Sequence, residues 1–383
     1  MRIAVVGGGP AGLYFAYLWR KRHPSALVTV FEQNPRDATF GFGVVFSDRA
    51  MDFLEAGDPE TAALITSQME TWNDIAIVHR GERIAIDGVG FSAIGRLDLL
   101  RIFQRRAEEV GTDLRFETPV ADIGQLLSFD FIIAADGVNS FVRRSFEADF
   151  ETSIAYLDEK FAWFGTPKPF DTLTQTFIEN GLGTFNAHHY RYAPGRSTFI
   201  VECDQATWLR AGFGELDEEA SRALCERVFA DTLNGAPLIA NKSAWRNFPW
   251  IWNRRWHHRN IVLVGDALRT AHYSIGSGTR LAMEDVIALV QALEANPHNI
   301  TAAFEAYQAA RQPIVEKLVQ AARVSAAWYA NFPAHMKLTP LELAHSYILR
   351  SGRLTEVRLR QMSRRFMKRL DEAREVKARG IEP

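Results

Sequence analysis

Three stretches of this 383-residue chain combine residue types and spacings that point to chemistry. Gly7-Gly8-Gly9-Pro10-Ala11-Gly12 sets glycines at 7, 9 and 12. That is G-x-G-x-x-G, a dinucleotide cradle when it closes a strand and opens a helix. Gly7 permits the tight turn, Gly9 lets backbone approach a pyrophosphate, and Gly12 allows close helix–strand packing. Pro10 and Ala11 begin the helix whose free N–H groups meet the anion. Glu32, followed by Gln33, stands twenty residues beyond Gly12. An acid there accepts hydrogen bonds from an adenosine ribose.

The second stretch is Ala134-Ala135-Asp136-Gly137-Val138-Asn139-Ser140, with Arg143 three residues on. Alone, an Asp-Gly is only a turn. The third is Val264-Gly265-Asp266-Ala267, followed ten residues later by Gly276-Ser277-Gly278. An Asp at a strand's C-terminal end can bind ribitol hydroxyls, and a glycine-rich loop can pass close to a flat ring. A helix starting near 279 aims its positive end at that ring, which stabilises an anionic isoalloxazine.

The elements that must position these residues are legible. Residues 3–6 and 27–31 read as strands around a helix over 11–22. The apolar runs 129–134 and 260–264 read as strands covered on both faces. Runs 75–79 and 82–86 read as a hairpin around Arg80-Gly81. Helices are expected over 47–56, 97–110, 218–233, 279–295 and 301–328. Between 154 and 256, short alternating runs rich in Trp, Phe, Tyr and Thr predict an antiparallel sheet. The fold class is therefore α/β: a Rossmann-like dinucleotide-binding domain interleaved with an antiparallel β-sheet substrate domain, plus C-terminal helices. The expected boundaries are 1–72, 96–153 and 257–330 for the nucleotide domain. Residues 73–95 and 154–256 form the substrate domain, and 331–383 a C-terminal segment.

Composition narrows the function classes. A net charge of −2 argues against nucleic-acid binding by bulk electrostatics. No apolar run approaches a membrane span, and the N-terminus runs directly into a strand. Cys203 and Cys225 are the only cysteines. They have no metal or redox spacing, which predicts small core residues and a cytoplasmic home. From Arg350 the tail carries eleven basic and five acidic residues. It reads as a docking surface for an acidic partner or as a solvated helix face. Met362, Phe366 and Leu370, an i, i+4, i+8 stripe, favour the second.

The ordered trio of glycine fingerprint, Asp136-Gly137 and Gly265-Asp266 resembles the single-component (class A) flavoprotein aromatic hydroxylases, the para-hydroxybenzoate hydroxylase type. The resemblance spans nearly the whole chain. It implies FAD held by Gly7, Gly9, Gly12, Glu32 and Asp266, with Pro10, Ala11, Gln33, Gly43, Val44, Asp136, Gly265, Gly276 and Gly278 around it. Arg96, in Gly95-Arg96-Leu97-Asp98, matches the family arginine on the phosphate side. Four further stretches resemble the salicylyl-CoA 5-hydroxylase and aryl-CoA monooxygenase subfamily. They are Gly43-Val44-Val45-Phe46-Ser47-Asp48, Phe161-Ala162-Trp163-Phe164-Gly165-Thr166, Ser197-Thr198-Phe199-Ile200-Val201-Glu202-Cys203 and His272-Tyr273-Ser274-Ile275-Gly276. The Ser197–Cys203 stretch and Trp245-Arg246-Asn247-Phe248 are also similar to the violacein-pathway tryptophan hydroxylase. In one place the chain departs from the family. Many class A enzymes carry His four and Pro eight residues past the motif glycine, where this chain has Arg269 and Tyr273.

The implied cycle consumes NADH or NADPH as a transient co-substrate and O2, through a flavin C4a-hydroperoxide attacked by an electron-rich ring. No second dinucleotide fingerprint appears, as in class A enzymes. Gly41 and Gly43 read either as a loop that tolerates flavin movement or as a simple bend. A phenolic substrate reacts faster as phenolate, so acid/base candidates matter. They are His272, beside the expected flavin loop, His188, and Tyr273. His188 and His189 must face opposite sides of a strand, so only one can face a pocket. Either imidazole reads equally well as a satisfied core histidine. No metal spacing is present. The expected substrate is an aromatic CoA thioester such as salicylyl-CoA. A free indole-type aromatic, or flavin reduction without hydroxylation, are the rivals. Arg191, Arg246, Arg254, Arg255, His257, His258 and Arg259 could meet CoA phosphates, but each taken singly reads more readily as solvated loop charge, and none is taken as a site. Neither a nucleic acid nor a membrane is expected as partner, and oligomeric state is not readable.

Overall fold

A computed structural model of the chain describes residues 1–47 and 51–379. Four short apolar segments, Arg2–Val6, Leu27–Phe31, Phe131–Ala134 and Ile261–Leu263, form the middle of a six-stranded sheet. They pair in parallel, with Val5 opposite both Val30 and Ile133. Ile3, Ala4, Val5, Ile133 and Leu263 have no solvent exposure, as expected for strands covered on both faces. Asp113–Arg115 and the antiparallel His257–His258 form the edges. Helix Pro10–Arg22 packs on this sheet and is buried from Ala11 through Trp19. It lies against Arg96–Glu109 on one side and Gly278–Ala295 on the other.

The chain leaves this sheet after Phe131–Ala134 and returns at His257–His258. The excursion builds most of a seven-stranded sheet. Its order is Arg246–Asn253, Thr152–Thr166, Arg196–Cys203, Gly183–Ala193, Leu173–Asn180, Ile75–His79, Glu82–Ile86. Every pair is antiparallel except Leu173–Asn180 with Ile75–His79. The hairpin closing the last two strands turns at Arg80 and Gly81, both with positive φ, which matches the right-handed strand twist.

The structure adds or alters several elements. Gly43–Ser47, Glu70–Trp72 and Phe91–Gly95 form a third, three-stranded sheet. Phe91–Gly95 therefore pairs there and not with the large sheet. The helix expected over 47–56 begins at Asp52, and a second one, Pro59–Thr66, follows it. Residues 48–50, including Asp48, lie outside the described residues. The helix expected over 218–233 is two, Glu218–Val228 and Ala230–Leu233, because Phe229 leaves helical geometry to bury its ring. The tail stripe is also corrected. Met362 is 37% exposed, whereas Phe366, Met367 and Leu370 are buried. Ser363 breaks the helix and its hydroxyl donates to the Asp87 carbonyl (2.5 Å). The register therefore resets, and Met367 takes the place expected for Met362.

One ion-pair cluster ties the parallel sheet to its last two long helices. Asp285, on Gly278–Ala295, has no solvent exposure. It accepts from Arg311 Nε (3.0 Å) on Ile300–Ala330 and pairs with Arg269 Nη2 (2.5 Å). Arg269 also donates to the Gly265 carbonyl (3.3 Å), and Arg311 to Glu284 (2.9 Å). Breaking such a buried cluster leaves charge uncompensated, at about 3–5 kcal/mol. Asp285→Asn should lower the free energy of chemical unfolding by that amount. Asp37→Asn, which removes an exposed partner of Arg101, should cost less than about 1 kcal/mol.

Candidate active site

The glycine turn obeys the backbone logic of its spacing. Gly7 has φ +106°, and a Cβ there would collide with the Ala135 carbonyl. A Cβ on Gly12 would collide with the Gly7 carbonyl and touch Val5. Gly9 has nothing within 4 Å of where its Cβ would be, so this residue faces open space. Helix Pro10–Arg22 starts there with no side-chain cap. Its first N–H groups are uncommitted and can receive an anion. A cleft of about 490 Å³ runs past Gly7, Gly9, Pro10, Glu32 and Gln33 to Asp136. Ala11 and Gly12 are buried beneath it. The Glu32 carboxylate is held at the rim, accepting from Gly8 N–H (2.7 Å) and Asn34 N–H (2.8 Å). Asp136 accepts from Val142 N–H (3.1 Å), while its other oxygen is buried without a partner. Burial pushes its carboxyl up against those hydrogen bonds.

A second cavity, about 680 Å³, opens beyond the first. Phe40, Arg96 and Asn139 line both, so the two adjoin at these residues. One wall is the large sheet, presenting Phe161, Trp163, His188, Tyr190 and Ile200. The facing wall holds Asp266, Tyr273, Gly276 and Gly278. Gly265 and Gly276 take positive φ, +62° and +57°, which lets the backbone fold close to the cavity. Helix Gly278–Ala295 begins there with no side-chain cap and no acid in its first turn. Its amides are free to stabilise negative charge. Arg96 stands at the junction, lining both cavities, and the Asp266 carboxylate acts on its charge. Burial lowers its pKa and Asp266 opposes that. Asp266 is exposed to the cavity, and the surrounding protein raises its carboxyl by desolvation, against Arg96 and Arg269.

Val44 lines this cavity, as does Gly43. Gly43 is pinned: its N–H donates to Thr198 Oγ1 (2.9 Å), and Tyr190 OH donates to its carbonyl (2.9 Å). The tolerance of movement expected at Gly43 is therefore absent. Gly41, with φ +84°, lies in a freer segment. Its carbonyl and that of Thr39 accept only from the Asn241 amide (3.3 and 3.0 Å).

The acid/base candidates separate. His188 lines the cavity, and its Nε2 is buried without a partner. Burial, aided by Arg350, drops its pKa to about 3. Tyr273 lines the cavity too, and burial raises its phenol well above the ordinary value. His272 turns away from it. Its Nδ1 meets Ser274 Oγ (2.8 Å), which meets Ser325 Oγ (2.8 Å). Its ring stacks on Tyr273 at 4.2 Å, and burial takes it to about 3. His189 faces the other side of the sheet, bonded to Thr176 (2.9 Å) between Phe170 and Phe199. Sequence reasoning missed Glu202, Gln175 and Asn186, which share a sheet face with His188. Their positions on aligned strands carried the signal, but the cross-strand register was needed to use it. Among the described residues, no group of three or more His, Cys, Asp or Glu could hold a metal ion.

Residues 120–322 match the FAD binding domain family, and residues 5–41 match an NAD(P)-binding Rossmann-like domain. The chain belongs to the FAD-dependent aromatic monooxygenases. It is 38% identical to salicyloyl-CoA 5-hydroxylase of a Streptomyces species, over 92% of this chain and 70% of that one. It is 37% identical to 3-hydroxy-4-methyl-anthranilyl-[aryl-carrier protein] 5-monooxygenase of Streptosporangium sibiricum, over 87% and 90%. Protodeoxyviolaceinate monooxygenase of Chromobacterium violaceum is 31% identical over 91% and 94%. The solved structure of the tetrameric form of 2-methyl-3-hydroxypyridine-5-carboxylic acid oxygenase shares the fold. It has a TM-score of 0.69 at 18% identity, covering 91% of this chain and 97% of that one. The monooxygenase thus uses FAD, with NAD(P)H as reductant. No helix of the described residues is long and apolar enough to cross a membrane.

The fit of FAD to this monooxygenase can be tested where the backbone approaches most closely. Gly12→Ala pushes a methyl group into the Gly7 carbonyl and must displace the helix start. A displacement costing about 1.4 kcal/mol lowers FAD affinity tenfold. The purified variant should carry much less flavin absorbance per protein than the parent.

Proposed function

We propose that this monooxygenase hydroxylates an electron-rich aromatic ring carried as a CoA thioester, of the salicylyl-CoA kind. The observation that carries the reading is that the dinucleotide cleft adjoins an aromatic-walled chamber, with Arg96 lining both. Bound FAD supplies the redox chemistry, reduction by NAD(P)H and activation of O2.

The chain's own residues divide the remaining work. Gly7, Gly9, Pro10, Ala11 and Gly12 receive the pyrophosphate, and Glu32 with Gln33 the adenosine. Arg96 and Asp136 flank the phosphate side. Gly265 and Asp266 hold the ribitol, while Gly43, Val44, Gly276 and Gly278 border the ring. The helix start at Gly278 stabilises negative charge where it develops. The apolar wall of Phe161, Trp163 and Ile200 keeps water from the reacting ring. His188, neutral at working pH, orients the substrate through Nε2 and does not hold a proton. His272 supports the Tyr273 ring from behind. In this reading residues 1–72, 96–153 and 257–330 form the nucleotide domain and 73–95 with 154–256 the substrate domain. Two buried, unpaired cysteines support a reducing, cytoplasmic setting.

The chamber opens at a rim that carries Lys242 and Arg246, both exposed. Positive charge there suits the phosphates of CoA. The similarity to a salicyloyl-CoA hydroxylase and an aryl-carrier-protein monooxygenase supports a thioester-bound ring.

The deciding measurement incubates the enzyme with NAD(P)H, labelled dioxygen and paired aryl-CoA thioesters and free acids. Expected is one labelled oxygen atom in the thioester product and little turnover of the acid. Preferential turnover of the free acid would overturn the carrier. Nucleotide oxidation with no oxygenated product from any ring would overturn hydroxylation. Arg246→Glu should also raise KM for the thioester several-fold, about 1 kcal/mol, with kcat nearly unchanged.

A further inference from the structure

The cavity face of the large sheet continues past His188 and Ile200 into an unexpected set of buried polar groups. His188 stands opposite Ile200, and two residues along, Asn186 stands opposite Glu202. Glu202 is also the direct partner of Phe161, and Gln175 of His188. Directly opposed residues share a sheet face. Gln175, Asn186, His188 and Glu202 therefore lie together on the face that lines the chamber through Phe161, His188 and Ile200. All four are buried, and each has at least one side-chain atom without a partner. Unpartnered polar atoms this deep are expensive unless a ligand or reaction uses them.

Tyr273 connects this set to the chamber. Its ring lies 5.1 Å from that of Phe161, the residue directly opposite Glu202, and the Tyr273 phenol and Glu202 carboxyl act on each other's ionisation. Arg350 approaches from the end of helix Pro340–Leu349. Its guanidinium stacks on Tyr347 (3.8 Å) and donates to the Ser274 carbonyl (2.7 Å), one residue past Tyr273. His188 cannot hold a proton, so a substrate hydroxyl needs another acceptor.

We propose that Glu202, acting through Tyr273, takes the proton of a hydroxyl on the bound aromatic ring, with Arg350 as the fixed positive charge that favours its ionisation. This rests on the aromatic hydroxylase reading above, and makes Glu202 a positioning residue that acts through Tyr273. The substrate O–H bond breaks, and its proton goes to the Tyr273 oxygen. The proton that Tyr273 held passes to a Glu202 oxygen. The ring is left as phenolate and Glu202 as a neutral acid, with no electron transferred.

The charged and titratable groups that face the pair come from several elements. Burial pushes Glu202 up to about 8, opposed by the Tyr273 hydrogen bond, reinforced by Glu159, and opposed by Arg350. Tyr273 faces Glu202, Tyr329 and Glu159. His188 and His272 stay neutral. An acceptor that titrates near working pH is well matched to proton transfer. Glu202 accepts only when ionised, so ring ionisation and turnover should rise with pH through about 8.

The test uses the FAD-loaded enzyme and 4-nitrophenol, a phenol without any carrier. The result therefore does not depend on the thioester. Difference absorbance follows ionisation of the bound probe against pH. Tyr273→Phe, which removes the hydroxyl that donates to the ionised ring oxygen, should move the midpoint up by about one pH unit. Glu202→Gln puts a neutral group where Glu202 ends as a neutral acid, so its effect is read in turnover. Arg350→Met should move the midpoint as Tyr273→Phe does. In turnover, both first variants should lose the rising pH limb in kcat while KM stays near the parent value. Flavin content of each variant reports that it has folded. A rising pH limb retained in folded Glu202→Gln, or an unchanged midpoint in folded Tyr273→Phe, would overturn the proposal. A failure of the thioester reading would leave these midpoints untouched and show only in the substrate comparison.

Discussion

Asp285 is shut off from solvent, and the geometry of the ring-binding side depends on how it is neutralised. Arg269 reaches it from the turn after Ile261–Leu263, and Arg311 from the long helix Ile300–Ala330. Both arginines are buried, so removing any member leaves a charge uncompensated inside the protein. The result is a rigid tie between the Gly265-Asp266 turn and helix Gly278–Ala295. That tie sets where free helix amides face the chamber and where Asp266 presents its carboxylate. Arg269 occupies the position where many class A hydroxylases carry His. In this chain the position has become part of the frame.

A large share of this architecture was readable from residue order. Gly7, Gly9 and Gly12 each have the environment their spacing implied: a left-handed turn, an open face and a tight contact. The strands 3–6, 27–31 and 261–263 were visible because burial on both faces leaves an unbroken apolar run. What failed to show was anything set by register or by a single residue's competing demands. Phe229 breaks a helix whose local sequence continues it, because its ring is wanted in the core. Ser363 resets the tail by bonding to Asp87, which lies 276 residues away. Glu202 sits inside one of the family-like stretches, yet nothing local marks it as a site residue. A lone Glu in a strand reads as solvent-facing until its cross-strand partners are known.

The two histidines beside the chamber illustrate the same divide. Type and position mark both as acid/base candidates, but ionisation is set by surroundings that sequence does not reveal. His272 spends its Nδ1 on Ser274, and His188 is held neutral by burial and by a cation from the C-terminal helices. The distant arginine Arg350 thus bears on both imidazoles and on Glu202. The C-terminal segment is in this sense part of the reaction chamber's electrostatics and not an appendage.

The contrast between Gly43 and its neighbours two residues earlier has a mechanical meaning. Gly43 is tied on both its amide and its carbonyl to the large sheet, so it behaves as a door jamb. The carbonyls of Thr39 and Gly41 accept from one side chain, the Asn241 amide, while Gly41 packs on the Trp163 ring and Lys242 lies over Phe40. Releasing that latch costs about 1–3 kcal/mol, a few multiples of thermal energy. Swinging the jamb would require tearing a β-ladder. The Asn241 amide is thus the polar part of a contact that also includes the Trp163 ring against Gly41, and this segment is joined to the large sheet by side chains where Gly43 is joined by its backbone.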